Sequence, residues 1–493
     1  MKYILSIDQG TTGSTAALIS LKDFKFIGHV SREFPQHYPH PGWVEHNLND
    51  IWKSVEKTVK EALRENNVKP SEIECIGITN QRETTCAFDR EGSPLCNAIV
   101  WQDRRTSEYC KQNKNFEKDL KKLTGLPLDP YFSATKMMWM LKNVDKVKDC
   151  KSKDLHFSTI ETFLIYKLTE GNSFVTETSN ASRTQLMNLE TGKWDPKLCE
   201  HFGVSIDSLP KIKDSFGEFG KTKGLNFLPD GIPITGVLGD QQAALFGQAC
   251  SKKGDMKCTY GTGAFILVNT GVNIVRSKAG LLSTSAYQYK GKQRYALEGA
   301  SYIAGAAVQW LRDNLGIIKN SAEVEDLANK VKDLSEMENI LFMPYFSGIG
   351  SPHWVPEAKA CVLGLTRDSK DSHLARACLE GIALSINDLI IAMDNDSDFE
   401  LTELRVDGGA VKDDLLMNIQ ASTSNLEIVR PEVIETTAYG AALGAAVGIE
   451  AISLEDVNQF WRKDKTFKPN PEWIDFYIRK KEKWDHAVKR LFL

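Results

Sequence analysis

No Cys-x-x-Cys pair occurs in this chain of 493 residues: its ten cysteines stand apart at positions 75, 86, 96, 110, 150, 199, 250, 258, 361 and 378, and its nine histidines form no H-E-x-x-H pair. That argues against zinc and against a disulfide framework, and for free thiols in a reducing compartment. No block of like charge occurs either. The 61 Lys and Arg residues nearly balance 65 Asp and Glu, leaving a net charge of −4, which gives no reason to expect nucleic acid or an anionic membrane as partner. The uncharged run between Glu435 and Glu450 falls short of the ~20 residues of a membrane span. The apolar run at Met1–Asp8 is too short for a signal peptide, and Leu491-Phe492-Leu493 is no peroxisomal address, so a cytoplasmic protein with a small substrate is expected. Asn180-Ala181-Ser182 then reads as a turn rather than a glycosylation site.

What is present begins with Ile4-Leu5-Ser6-Ile7-Asp8-Gln9-Gly10-Thr11-Thr12-Gly13-Ser14-Thr15. An apolar strand ends in a carboxylate, turns through two glycines and resumes as a second strand. Backbone N–H groups and the hydroxyls of Thr11, Thr12 and Ser14 make a concavity suited to phosphate oxygens, with Asp8 placed to hold a metal-bound water. The lysine of a Walker loop and the G-x-G-x-x-G of a dinucleotide site are both missing. A second strand, Gly-Thr-Gly turn and strand follows at Lys257 to Val268. Two such hairpins in a chain too long for one hydrophobic core imply two duplicated α/β domains facing each other across a phosphate-filled cleft.

Other polar groups fall at predicted strand ends. A helix from about Asp50 to Asn66, capped by Asn49, carries Ile51, Val55, Val59 and Leu63 on one face. The strand Ile73–Thr79 delivers Asn80-Gln81-Arg82-Glu83, which by itself reads as a surface ion pair. The strand Ala98–Trp101 delivers Gln102-Asp103-Arg104-Arg105, and the two ends share one pocket in this reading. Asp240 ends the strand at Ile232–Gly239 and begins an Ala-rich helix, at or near its N-cap. A charged amphipathic helix is expected over residues 321–339, a long buried one over Ala375–Met393, and a tightly packed one around Gly440, Gly444 and Gly448. Gly408-Gly409 follows a further strand, where a glycine pair lets backbone lie flat against a planar ring.

These motifs closely resemble the FGGY family of carbohydrate kinases, and its glycerol-phosphorylating members in particular. The specific ones are Pro41-Gly42-Trp43-Val44-Glu45-His46, Gly77-Ile78-Thr79-Asn80-Gln81-Arg82-Glu83-Thr84, Gly239-Asp240-Gln241-Gln242 and Thr259-Tyr260-Gly261-Thr262-Gly263. The resemblance runs from Asp8 to Ala442 and implies the actin-like (ribonuclease H-like) ATPase fold, with α/β domains at residues 1–247 and 248–493. It implies ATP-dependent conversion of glycerol to sn-glycerol 3-phosphate with Asp240 as general base. Arg82, Glu83, Tyr131, Asp240 and Gln241 then bind the glycerol hydroxyls, and Trp101 and Phe265 lie against its carbons. Thr11, Thr12, Gly13 and Thr262 take the phosphates of ATP, and Gly305, Gln309, Gly409 and Asp413 its adenosine side. Mg²⁺ rides on the phosphates near Asp8 through water, and a homodimer or homotetramer is compatible with the resemblance. Two positions depart from the family's pattern: Thr15 stands where an arginine is common, and Asp413 where an asparagine is common. A kinase for another polyol or a pentulose, and a non-metabolic actin-like ATPase, are the alternatives.

Overall fold

The structure, a computed structural model, describes residues 2–493. Its first sheet starts with β1 (Tyr3–Gln9), whose Ile4, Leu5 and Ile7 are fully buried, paired antiparallel with β2 (Gly13–Ser20). The latter pairs antiparallel with β3 (Phe26–Glu33). The chain crosses through α1 (Leu48–Glu65) to β4 (Ile73–Asn80), which lies parallel to β1. After a long excursion β5 (Phe216–Lys221) and β6 (Pro233–Gly239) complete the order β5-β6-β4-β1-β2-β3, with β6 parallel to β4.

Helix α2 (Asp240–Gly247) leads to a second sheet. It contains β7 (Met256–Tyr260), β8 (Ala264–Gly271), β9 (Leu282–Tyr289), β10 (Lys292–Ser301), β11 (Glu403–Asp407), β12 (Glu427–Pro431) and β13 (Lys463–Phe467), in the order β9-β10-β8-β7-β11-β12-β13. The run β10-β8-β7-β11-β12 repeats the run β3-β2-β1-β4-β6: two antiparallel pairings followed by two parallel ones. The expected duplication is therefore present in the topology, and the fold is actin-like.

Four helices of the second half matter below: α3 (Gly305–Asp313), α4 (Asp371–Asp396), α5 (Asp414–Ser424) and α6 (Thr436–Gly448). Although it follows the second sheet's strands, α6 lies on the first sheet. A Cβ on Gly77 of β4 would stand 2.2 Å from the Ala441 carbonyl oxygen, and one on Gly236 of β6 2.2 Å from the Ala445 nitrogen. A Cβ on Gly440 would stand 1.9 Å from the carbonyl oxygen of Ala243 in α2. Glycine at these positions lets α6, α2 and the sheet approach almost backbone to backbone, which locks the two halves together behind the cleft.

Three local expectations change. The cap of α1 is Asn47, whose Oδ1 accepts the N–H groups of Asn49 and Asp50, so the helix starts two residues before Asp50. The expected helix at 321–339 is broken into Glu323–Ala328 and a short 3-10 turn at Leu334–Met337. Asp333 accepts the Ser335 N–H at 2.9 Å and starts that new turn, because short polar side chains compete for backbone donors. The strand expected over Ala98–Trp101 is only Ala98–Ile99. The ten cysteines are free thiols, and among the described residues no helix is long and apolar enough to cross a membrane.

Candidate active site

Parallel pairing brings three strand ends to one edge of the first sheet. Gln9 of β1 stands opposite Asn80 of β4, and Asn80 opposite Gly239 of β6. The Gly10–Thr12 turn, the segment Gln81-Arg82-Glu83 and Asp240 therefore leave the sheet side by side, beyond the carboxyl ends where open α/β sheets bind ligands.

Arg82 and Glu83 are both buried, so the surface-pair reading fails. Glu83 has a φ of +60°, left-handed for a non-glycine residue, and this lets neighbouring side chains enter one network instead of opposite faces. Arg82 Nε lies 3.0 Å from Asp240 Oδ1, and its Nη1 and Nη2 donate to Glu298 at 2.5 and 2.9 Å. Arg183 Nε donates to Glu83 at 2.5 Å and its Nη2 to Glu298 at 3.1 Å. Burial pushes carboxyls up. In Glu298 the charges of Arg183 and Arg82 outweigh that push and hold it below the usual range, whereas in Glu83 burial prevails over Arg183 and Arg82 and the carboxyl stays raised.

Asp240 is the first residue of α2 rather than its cap, which is Gly239, and its Oδ1 accepts the Gln241 N–H at 2.7 Å. Its side chain is 29% exposed while those of Glu83 and Glu298 are at 2% and 0%, so it is the carboxylate of this network that opens to the cleft. Gln241 is buried with its amide oxygen held by Lys257 Nζ of β7 at 2.5 Å, which leaves its amide N–H groups as the free donors.

An aromatic wall stands beside these polar groups. Trp101 meets Tyr131 edge-on at 5.6 Å and Phe265 edge-on at 6.2 Å. Its indole N–H donates to Thr11 Oγ1 at 2.9 Å, tying this wall to the first hairpin turn. Thr85 and Ile99 exchange both backbone bonds, and Trp101 N–H reaches Thr84 Oγ1 at 3.3 Å, so Trp101 stands next to the Arg82-Glu83 segment, whereas Arg104 lines a different cavity.

Each hairpin turn closes on a glycine N–H: Gly10 donates to the Gly13 carbonyl three residues on, and Gly261 to the Gly263 carbonyl two residues on, each at 2.9 Å. Thr12 and Thr262 are exposed and Thr11 half-buried. Ser14 is not part of this concavity, because it is fully buried with its hydroxyl 2.7 Å from that of Ser54 in α1. Gly305 opens α3 directly on the second turn, its N–H 2.9 Å from the Gly261 carbonyl, and a Cβ there would come within 2.7 Å of that oxygen. Gln309 is exposed one turn later, and nothing lies within 4 Å of a Cβ on Gly409. Asp413 caps α5: Oδ1 accepts the Leu416 N–H at 2.8 Å, and Oδ2 is buried without a partner among the described residues. Burial pushes this carboxyl to about 7.

Asp8 is pushed to about 8, by burial first and then by the charges of Asp240 and Glu435. Asp8, buried and repelled by the carboxylates of Asp240 and Glu435, suits the neighbourhood of a divalent ion carried in by a ligand. Among the described residues no group of three or more His, Cys, Asp or Glu is spaced to hold a metal alone.

Two members of the network, Arg183 and Glu298, were not singled out from sequence. A cavity of about 1120 Å³ lies elsewhere between the halves, lined by residues such as Arg104, Lys111, Trp354 and Glu357 and by none of the expected site residues. Most of its cations are already paired, Lys111 with Glu357, Lys114 and Lys121 with Glu117, and Lys481 with Asp388.

Two like sheets that bring a carboxylate, a polar and aromatic pocket and two glycine-threonine turns to one cleft define a two-domain kinase of actin-like fold. Comparison with known proteins agrees. Models of the FGGY family of carbohydrate kinases match residues 3–247 (N-terminal domain) and 256–449 (C-terminal domain). The chain is 47% identical over 500 residues to a glycerol kinase of Myxococcus xanthus, covering 99% of each protein. The solved glycerol kinase of Plasmodium falciparum with ADP superposes with a TM-score of 0.90 at 35% identity, covering 100% of this chain and 99% of that one. A ligand-bound xylulose kinase from Lactobacillus acidophilus, 22% identical with a TM-score of 0.88 over 100% and 98% of the two chains, shares the fold. The protein belongs to the FGGY family of carbohydrate kinases.

Proposed function

We propose that the protein is an ATP-dependent glycerol kinase that transfers the γ-phosphoryl group to a terminal hydroxyl of glycerol. The observation that carries this reading is the cleft-facing carboxylate of Asp240, held 3.0 Å from Arg82 beside the wall of Trp101, Tyr131 and Phe265. A short polyol has hydroxyls that ask for charged and amide partners and C–H edges that suit aromatic faces. Arg82, Glu83, Asp240 and Gln241 supply the former, and Tyr131 adds its hydroxyl. A pentulose needs a longer pocket with further polar groups, and the curated relatives at about this similarity are glycerol kinases.

In this reading Asp240 accepts the proton of the terminal hydroxyl as that oxygen attacks the γ-phosphorus in line, and the bond to the β-γ bridging oxygen of ATP breaks to give ADP. The N–H groups of the turns at Gly10–Gly13 and Gly261–Gly263 and the hydroxyls of Thr11, Thr12 and Thr262 hold phosphate oxygens from both sides. The adenosine lies along Gly305, Gln309, Gly409 and Asp413. Asp8 fits a water-mediated contact to Mg²⁺ carried on the nucleotide, an ion that supplies charge neutralisation for the transferring group. Domains divided near residue 247, a cytoplasmic location matching free thiols, and assembly as a dimer or tetramer belong to the same reading. A coupled assay of ADP release with glycerol, xylulose and no acceptor tests it. Release that depends on glycerol supports the proposal; release favouring xylulose, or independent of any acceptor, rejects it.

A further inference from the structure

We infer that Arg183, together with Glu298, is a positioning pair for the acceptor pocket, holding Glu83 and Arg82 in their substrate-binding orientation from opposite halves of the molecule. The inference rests on the proposed glycerol site and extends it to two residues that touch its binding groups. Arg183 follows the short helix Thr178–Ala181 and is fully buried, and Glu298 sits mid-strand in β10 of the second sheet, also fully buried. Glu298 grips Arg82 through two bonds and Arg183 through a third, and Arg183 alone among these cations bonds Glu83.

The arrangement has its own foundation. Glu177 accepts the Ser179 and Asn180 N–H groups at 2.7 Å each, fixing the helix that precedes Arg183, and Ser179 Oγ accepts the Gly239 N–H at 2.9 Å, one residue before Asp240. The guanidinium of Arg183 lies 5.7 Å from the Tyr131 ring centre and 5.3 Å from that of Phe132. One donor, Nη1, is buried and has no partner among the described residues. A buried donor left without a partner is costly, and the guanidinium that carries it is held in place through its other two nitrogens by Glu83 and Glu298.

A left-handed Glu83 with a carboxyl raised by burial needs this partner twice over, for orientation and for charge. The charged and titratable groups facing it are Arg183, Arg82, Glu298, Tyr131, Lys136 and Tyr302. Weakening the Arg183 contact raises the Glu83 carboxyl further, so the carboxylate that accepts a substrate hydroxyl is lost as pH falls. Removing the charge of Glu298 acts in the opposite sense on Glu83, because that neighbour also raises it.

The test compares Arg183→Lys and Glu298→Gln with the unaltered enzyme, measuring KM for glycerol and for ATP from pH 6 to 9 and the melting temperature of each. For Arg183→Lys, KM for glycerol should rise about tenfold or more, a charge-assisted bond lost. The rise should be larger at pH 6 than at pH 9, with KM for ATP nearly unchanged. For Glu298→Gln, KM for glycerol should also rise, but without growing toward low pH. Arg183→Lys with flat pH behaviour and equal changes in both KM values overturns the inference, as does Glu298→Gln with an unaltered KM for glycerol. If Arg183→Lys does not fold, the isosteric Glu298→Gln decides alone. Unaltered enzyme inactive on glycerol would instead refute the proposed function.

Discussion

Arg82 Nε lies 3.0 Å from Oδ1 of Asp240, so the guanidinium proposed to bind the acceptor lies against the carboxylate that faces the cleft. Gly239, not Asp240, caps α2, and at the first helical position the carboxyl accepts only one backbone N–H, that of Gln241, a bond that an Asn side-chain oxygen can also accept. Asp240→Asn keeps the shape and one acceptor oxygen. It should lower kcat by at least about a hundredfold, within the ~10²–10⁴ range of general-base catalysis, while the KM for ATP changes little. Steady-state kinetics on the folded variant check this, and near-normal kcat would reduce Asp240 to a structural residue.

Much of this site was legible from the chain because strand ends are punctuated. Apolar runs stop at Gln9, Asn80 and Gly239, and parallel pairing then brings the polar residues after each of them to one edge. The hairpins were legible because the same strand, Gly-Thr turn and strand recurs at Lys257 to Val268, whereas a single such turn is an ordinary hairpin. Arg183 was not, since it comes after Asn180-Ala181-Ser182, which reads as an ordinary turn, yet these are the end and C-cap of a buried helix, Thr178–Ala181. Glu298 did carry a signal: a lone carboxylate between Leu297 and Gly299 in an apolar strand requires a buried cation. The partner could not be named, because Arg82 and Arg183 are far away in sequence and meet it only through tertiary packing. Ser14 was misplaced for a similar reason: alternation along β2 turns it toward α1, and only the position of Ser54 shows what it meets.

Acceptor specificity follows from the buried polar set. Arg82, Glu83 and Gln241 are desolvated, so an acceptor lacking one hydroxyl leaves a group unpaired at about 1–3 kcal/mol each. 1,3-Propanediol and 1,2-propanediol should each show a kcat/KM well below that of glycerol, by tenfold or more on that scale. Equal catalytic efficiency for either diol in the coupled assay would contradict the assignment of these residues.

The junction between the halves gives a stability prediction in which two effects oppose each other. Alanine favours a helix over glycine by about 1 kcal/mol. In α6, however, a Cβ on Gly440 would stand 1.9 Å from the Ala243 carbonyl oxygen, a backbone atom that cannot step aside without moving α2. Overpacking of that kind costs about 1–3 kcal/mol or more, so the clash outweighs the propensity. Gly440→Ala should therefore melt at a lower temperature than the unaltered protein. A variant that melts higher would show that α2 and α6 have slack.

Asp8 offers a pH test that needs no substrate. Its carboxyl moves from an ordinary 3.8 to about 8 in the folded protein, through burial and the charges of Asp240 and Glu435. Between these values the native state keeps a proton that the unfolded chain has released. Stability therefore falls as pH rises through that window and levels off above about 8, the reverse of the behaviour of a salt-bridged aspartate. Asp8→Asn is neutral in both states and lacks this slope. In melts without nucleotide, the advantage of Asp8→Asn over the unaltered protein should grow from pH 5 to pH 8.5, while its kinase activity should fall with the loss of the proposed water-mediated contact to the nucleotide's cation. Parallel melting curves for the two proteins across that range would mean that Asp8 is already ionised in the empty cleft.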